Sequence, residues 1–358
     1  MNDRWESSKS KAGDYQRERI LDSKTIRKSF QVEVNPYIEF MNAILLTSQY
    51  NEITRPYVGY GLMTDEKNVY TSALKRFLEP YKNEPIYQLI EGMIPTGFSF
   101  SRPVELMLSL GTSKDFKLKY RPSDLCIQYC GGMEQINTLL RMLKAFEKQI
   151  DFFSYWNSIK TYYDPIIKEV SQNTNTAYVY LLEEQYGVQQ NSYHIVLSSL
   201  MKGNYGIYLN AANHLERDIF TVFSTDRFSL STGILFHENS HPFINPLTEK
   251  YRDLVATYSG AYEKLKKYKR PNFESGYGDF EECVNEHLVR AMSIHLLQKI
   301  GDQNQANDLL NYDISLGYKY IPEILRKYDY FDEHRNTYVT FEDFYPELLM
   351  AFQYDIDA

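Results

Sequence analysis

A chain of 358 residues with 43% hydrophobic content is long enough for one large domain or two ordinary ones around a packed core. Its net charge of −8, with no long Lys/Arg run, lacks the basic footprint that nucleic-acid binding requires, so no nucleic-acid partner is expected. No stretch approaches the roughly 18 consecutive apolar residues that span a bilayer, and Met1 to Ser29 is polar and charged, so a soluble chain with neither leader nor membrane span is expected.

In chain order, residues 1–30 hold few apolar anchors and are expected to form a flexible or weakly helical arm. At Asn35-Pro36 the pattern changes. Asn35 suits a cap, Pro36 suits a first helical turn, and Ile38, Met41 and Leu45 repeat with helical spacing to about Ser48. Further helical patterns run from about Glu66 to Tyr81, Ile86 to Met93, Pro103 to Leu110 and, as one long stretch, Met133 to about Val170. β-rich segments follow at Tyr193–Leu197, Tyr205–Leu209 after the Gly203-Asn204 turn, and Ile219–Phe223, which predicts a small antiparallel sheet. Helix returns near Leu230, with Asn245-Pro246 and the stretch from Arg270-Pro271 to Gly278 as interruptions. The 32 tyrosines are spread along the whole chain, as ordinary core and surface residues would be. The three cysteines form no disulfide framework, and the compartment stays open between the cytoplasm and export with a removed leader.

The chemistry-bearing motif is His237-Glu238-Asn239-Ser240-His241. Histidines four apart project from one face of a helix and can bind one metal ion, with a glutamate beside them. This HExxH arrangement uses neutral imidazoles as Zn²⁺ ligands and leaves an open position for water, and Glu238 is the expected general base. Ser229, Ser231 or Thr232 can start the helix, and Asn245-Pro246 is expected to stop it. Pro242 fits less comfortably, because it removes a helix donor directly after the second histidine. The metzincin continuation is excluded, since Ile244 and Leu247 stand where Gly and His are needed. A third ligand is expected from the segment Phe280 to Ala291, which offers Glu281, Glu282, Glu286, His287 and Cys283. Periodicity does not choose among them, and an ordinary surface pair of Glu286 with Arg290 four residues later competes with a ligand role.

These residues resemble the bacterial domain-of-unknown-function 4932 family, a group similar to gluzincin-type metallopeptidases. The resemblance is carried by Val34-Asn35-Pro36 with Glu39, Gly203-Asn204-Tyr205-Gly206, the HExxH segment with Phe243-Ile244-Asn245-Pro246, and Asn285-Glu286-His287-Leu288-Val289-Arg290-Ala291. Gly317-Tyr318 and Phe341 to Pro346 extend it, so that it takes in roughly residues 31 to 350. It implies that His237, His241 and Glu286 hold one Zn²⁺ ion. It also implies an edge strand for extended substrate, for which Tyr205–Leu209 is the candidate, and an oxyanion donor, for which Tyr277, His287 and His194 are candidates. Gluzincins often carry an Asp four residues after the ligating Glu, and here that position is Arg290.

The expected fold class is therefore α+β and mostly helical, zincin-like, with a small antiparallel sheet and an HExxH active-site helix. The expected domains are the arm (1–30), a helical N-terminal region (31–190) and a zincin-like catalytic region (191–358) with its sheet at 192–224 and metal-site helices at 230–300. The expected function is a zinc-dependent metallopeptidase acting on a peptide or protein. The alternative is a non-catalytic zinc-stabilised binding module. Neither specificity nor oligomeric state is legible.

Overall fold

Asn35 and Pro36 start the first helix as their residue types dictate. The Asn35 side chain accepts hydrogen bonds from the backbone N–H groups of Tyr37 and Ile38, and Pro36 occupies the first turn, where no partner for its missing N–H is needed. The computed structural model describes residues 30–111, 115–175, 177–210, 217–225, 232–268 and 279–356. The sequence expectations for residues 1–29, Ser229, Ser231, Tyr277 and the stretch from Arg270 to Gly278 lie outside them.

The chain divides into two compact units. One comprises Phe30–Thr174 and His194–Ser229. Its elements are strand β1 (Phe30–Glu33) and helices α1 (Pro36–Thr47), α2 (Tyr50–Val58), α3 (Val69–Leu78), α4 (Pro85–Met93), α5 (Ser101–Leu108), α6 (Asp124–Tyr129), α7 (Met133–Ile150), α8 (Phe152–Ile159) and α9 (Asp164–Asn173). Strands β2 (Ser192–Ser198), β3 (Tyr205–Asn210) and β4 (Arg217–Ser224) follow. Helix α1 is buried along most of its length and packs on α3, α5 and α8. The long helix expected from Met133 to Val170 is broken. Asp151 takes a left-handed conformation (φ 50°), which ends α7 and turns the chain into α8. Residue-type periodicity carries no signal for a single backbone reversal.

The strand order is β1-β2-β4-β3, and β3 pairs antiparallel with β4 from Tyr205 opposite Val222 to Asn210 opposite Arg217. The sheet is mixed rather than wholly antiparallel as expected. The missed element is β1, only four residues long and too short for alternation to register. A long helical connection separates it from β2, so that pair is free of hairpin geometry. β3 lies at the sheet edge, as expected for Tyr205–Leu209.

Beneath α1 the fully buried Glu39 carboxyl accepts hydrogen bonds from the Tyr70 and Tyr163 hydroxyls, the latter at 2.8 Å. Tyr163 accepts in turn from the Ser199 N–H, and Tyr70 from Trp156 Nε1 at 2.9 Å. Burial pushes the Glu39 carboxyl up to about 7, although Ser198, Tyr70 and Tyr163 pull it down.

The other unit comprises Asn175–Tyr193 and Leu230–Ala358. Its helices are α10 (Ala177–Tyr186), α11 (Thr232–Lys250), α12 (Arg252–Thr257), α13 (Gly260–Lys266), α14 (Phe280–Lys299), α15 (Gln303–Leu316), α16 (Ile321–Glu333) and α17 (Phe341–Leu349). The division expected at 190/191 differs from this grouping in two respects: the sheet clusters with the N-terminal helices, and α10 clusters with the C-terminal ones. α14 forms the centre, packed along α11 and against α15 and α16. It is buried on nearly every side from Phe280 to Leu297, which is why its sequence shows no single apolar stripe. The expected stop at Asn245-Pro246 is not used. α11 continues through Pro242 and Pro246 to Lys250, since tertiary packing of Phe243, Ile244 and Thr248 outweighs two lost helical donors. Gly233 lets the first turn of α11 approach its neighbours: a Cβ there would lie 2.7 Å from Leu309 Cδ1, and its N–H donates to Gln305 Oε1 at 2.8 Å.

Candidate metal centre

His237 and His241 stand one turn apart on α11, and their Nε2 atoms are 3.3 Å from each other. Glu286 comes to them from α14, its Oε1 3.6 Å from His241 Nε2 and its Oε2 3.9 Å from His237 Nε2. The three side chains are only 14–20% exposed. One donor atom from each lies within 4.8 Å of the others, and among the described residues this is the single group of His, Cys, Asp and Glu so arranged. The register that brings Glu286 here is fixed one residue away. The Thr248 hydroxyl on α11 donates to Asn285 Oδ1 on α14 and also meets the Tyr345 hydroxyl at 2.6 Å.

The rivals to Glu286 are engaged elsewhere. Glu281 pairs with Arg252 at 2.6 Å near the surface. His287 is fully buried, with Nδ1 2.8 Å from the Cys283 carbonyl oxygen and its ring against Tyr318, Tyr320 and Phe352. Cys283, also fully buried, sits beside that imidazole with Sγ 3.6 Å from Nδ1. Of the oxyanion candidates, His194 belongs to the other unit, where its ring stacks on Phe220 and Nδ1 lies 3.3 Å from Glu33.

Glu238 follows His237 on α11 and is 7% exposed. The two inner residues of the motif serve the helix itself: Asn239 Nδ2 donates to the Leu235 carbonyl and the Ser240 hydroxyl to that of Phe236. Asn245, read in the sequence as part of a stop signal, instead lies one turn beyond His241, with Oδ1 3.2 Å from His241 Nδ1. An amide oxygen there accepts a proton on Nδ1 and leaves Nε2 as the lone-pair nitrogen facing the cluster.

Arg290 carries the electrostatics. It does form the expected pair with Glu286 (Nε to Oε2, 3.1 Å), but not on a solvated surface: Nη1 bonds Asp313 at 2.6 Å and the guanidinium lies 4.2 Å from the Tyr318 ring centroid. Gly317, left-handed at φ 104°, ends α15 and turns the chain so that Tyr318 follows directly. Nothing in the residue pattern singles out Asp313, one acid among many in a polar helix. Arg290 meets Oε2 of Glu286, and the other oxygen, Oε1, is the one that lies 3.6 Å from His241 Nε2.

Protonation states suit a cation. Burial pushes His237 down to about 3, with Glu286 opposing and with His241 and Arg290 reinforcing the shift, so this imidazole is neutral at pH 7. Burial would raise the Glu286 carboxyl, but Arg290 first and then the two imidazoles outweigh it and hold it at about 2. Arg290 loses some of its charge preference to burial and regains more from Glu286, Tyr318 and Asp313.

The donor set fits zinc: imidazole nitrogens and an ionised carboxylate are among its usual ligands. A tetrahedral site with bonds of about 2.1 Å has edges of about 3.4 Å; the two imidazole Nε2 atoms are 3.3 Å apart and His241 Nε2 is 3.6 Å from Glu286 Oε1, while one donor atom from each of the three residues lies within 4.8 Å of the others.

The family model described as "Domain of unknown function (DUF4932)" matches residues 30–351. The chain belongs to this family. Comparison of this family member with curated proteins and with solved structures gives no match. Among its described residues no helix is long and apolar enough to cross a membrane.

Proposed function

We propose that the protein is a zinc-dependent metallopeptidase of gluzincin type, with a zincin-like catalytic unit. The observation that carries the reading is the convergence of His237, His241 and Glu286 from two packed helices, with one donor atom of each within 4.8 Å of the others. In this reading these three residues hold Zn²⁺. The bound ion supplies Lewis acidity toward a scissile carbonyl and lowers the pKa of a water.

The chain's own groups do the rest. Asn245 fixes the tautomer of His241, and Arg290 keeps Glu286 ionised. The Glu238 carboxylate accepts a proton from the attacking water and returns it to the leaving amine nitrogen.

One observation favours a second reading. Glu238 is nearly buried, which suits a non-catalytic module in which zinc only ties α11 to α14. Glu238→Gln separates the two. The peptidase reading expects about one zinc per chain in wild type and variant, with peptide cleavage reduced at least roughly a hundredfold in the variant. It falls if the purified protein holds no stoichiometric zinc by elemental analysis, or if the variant cleaves as fast as wild type. If removing zinc lowers the melting temperature while wild type cleaves nothing in a peptide library, the module reading stands instead.

A further inference from the structure

The unit formed by Phe30–Thr174 and His194–Ser229 contains a cavity of about 540 Å³ that the metal chemistry does not use. Residues from β1, the start of α1, α8 and β4 line it. Its volume lies in the range of small-molecule sites, roughly 300–1,000 Å³. The apolar wall is aromatic: Tyr120, Phe153, Trp156 and Phe220 all contribute. Trp156 is 6% exposed and its Nε1–H is committed to the Tyr70 hydroxyl, which is itself bonded to Glu39. The indole is therefore a fixed apolar surface with no donor left to offer a ligand.

The polar groups at the cavity divide into engaged and unengaged. Glu33 lies beside His194 at 3.3 Å, and Asn35 caps α1. Lys119 sits over the Tyr120 ring and is further held by the Asp218 charge. Among the described residues Lys160 has no carboxylate partner; its ammonium rests 5.5 Å from the Trp156 ring centroid. A cation on an aromatic face stays available for an anion. The Asn157 and Gln31 side chains also line the cavity.

The helix N-terminus at the cavity does not make this a phosphate site. Pro36 has no N–H, and the next two backbone donors are taken by Asn35. The unmatched chemistry is one cation beside aromatic side chains. We propose that this cavity binds a small aromatic carboxylate, its ring against Trp156 and Phe220 and its carboxylate at Lys160. The same chemistry is offered by a free aryl acid or by the C-terminal aromatic residue of a short peptide.

The chain has two tryptophans, Trp5 and Trp156. Full-length Trp5→Phe protein therefore reports on Trp156 alone by fluorescence, with calorimetry as a second readout. The probes are 3-phenylpropionate, its neutral amide, 3-phenylpropylamine and the dipeptide Ala-Phe. Saturable binding of 3-phenylpropionate is expected, about threefold to tenfold tighter than the amide and with the amine weakest. Lys160→Met should erase the preference for acid over amide and leave amide binding unchanged. Tighter binding of Ala-Phe than of 3-phenylpropionate would assign the site to peptide C-termini within the proposal. The proposal is overturned if no probe changes the Trp156 signal saturably, if the amine binds as well as the acid, or if Lys160→Met keeps the preference. Zinc content and peptide cleavage play no part in these readouts, so failure here and failure of the peptidase reading are distinguishable.

Discussion

Replacing Arg290 with methionine is the sharpest test of how the candidate centre is balanced. Arg290 faces Glu286 at 3.1 Å and Asp313 at 2.6 Å, with side-chain exposures of 22%, 20% and 4% respectively. Removing one partner of a buried ion pair costs about 3–5 kcal/mol, and one-fifth exposure of Glu286 screens part of that, leaving roughly 2–3 kcal/mol in the metal-free chain. Asp313 softens the loss, since burial already pushes its carboxyl up and the loss of Arg290 lets it take a proton. In the loaded chain the ion itself compensates Glu286, so little of the penalty remains. The thermodynamic cycle then requires the variant to bind zinc more tightly, by about tenfold to a hundredfold for 1.4–2.8 kcal/mol. Competition against a chromophoric chelator measures the affinity, and urea unfolding with and without EDTA measures the two stabilities. If Arg290→Met binds zinc no more tightly than wild type while its metal-free form is as stable, the charge-balance argument is refuted.

Glu39 gives a pH prediction with a definite sign. Its carboxyl titrates at about 7 in the fold against 4.5 for the ordinary group, so the unfolded chain loses its proton first as pH rises. The contribution of Glu39 to stability is fully present below about pH 4.5, declines as pH rises to about 7 and is flat above, a loss of roughly 3 kcal/mol. Denaturant unfolding of Glu39→Gln across that window should lack this decline, and an equal slope in wild type and variant would refute it. Thr248→Val keeps shape but strips the hydroxyl that joins Asn285 and Tyr345, so it should cost about 1–3 kcal/mol of unfolding free energy. It should also weaken zinc binding by loosening the register that delivers Glu286, and unchanged affinity would argue that the register is held elsewhere.

The site was legible in the sequence to the extent that a helix converts spacing into geometry. His237 and His241 needed only a four-residue separation, and the structure brings their Nε2 atoms together. Glu286 was reached through family resemblance, because α14 is buried almost all round and an amphipathic argument needs a dry side and a wet one. Asn245 was misread for a related reason. Asn-Pro is a frequent helix terminator, but the rule weighs only local backbone preference, and packing of α11 against α14 overrides it. Arg290 was seen as a departure from the gluzincin pattern, while its second partner Asp313, 23 residues further on, depends on how α15 folds back against α14. The Asn35 cap was fully local and was read in full. Asp151 and β1 were not, since one reversed dihedral and a four-residue strand fall below what periodicity resolves.

The prolines of α11 give the proposed metal a second consequence. Pro242 and Pro246 offer no N–H, so two of the helix's own i→i−4 bonds are absent from α11. The turn left short is the one that carries both imidazoles. An ion held by residues at i and i+4 would clamp from outside the stretch where the helix lacks two of its own i→i−4 bonds. Metal loading and local opening of α11 then become a single equilibrium, visible as slow amide exchange around residues 237–248 in the loaded chain and fast exchange after chelation. Chains that fail to acquire metal would open first at the site that needs it, and a protease that surveys local unfolding could tell loaded molecules from empty ones.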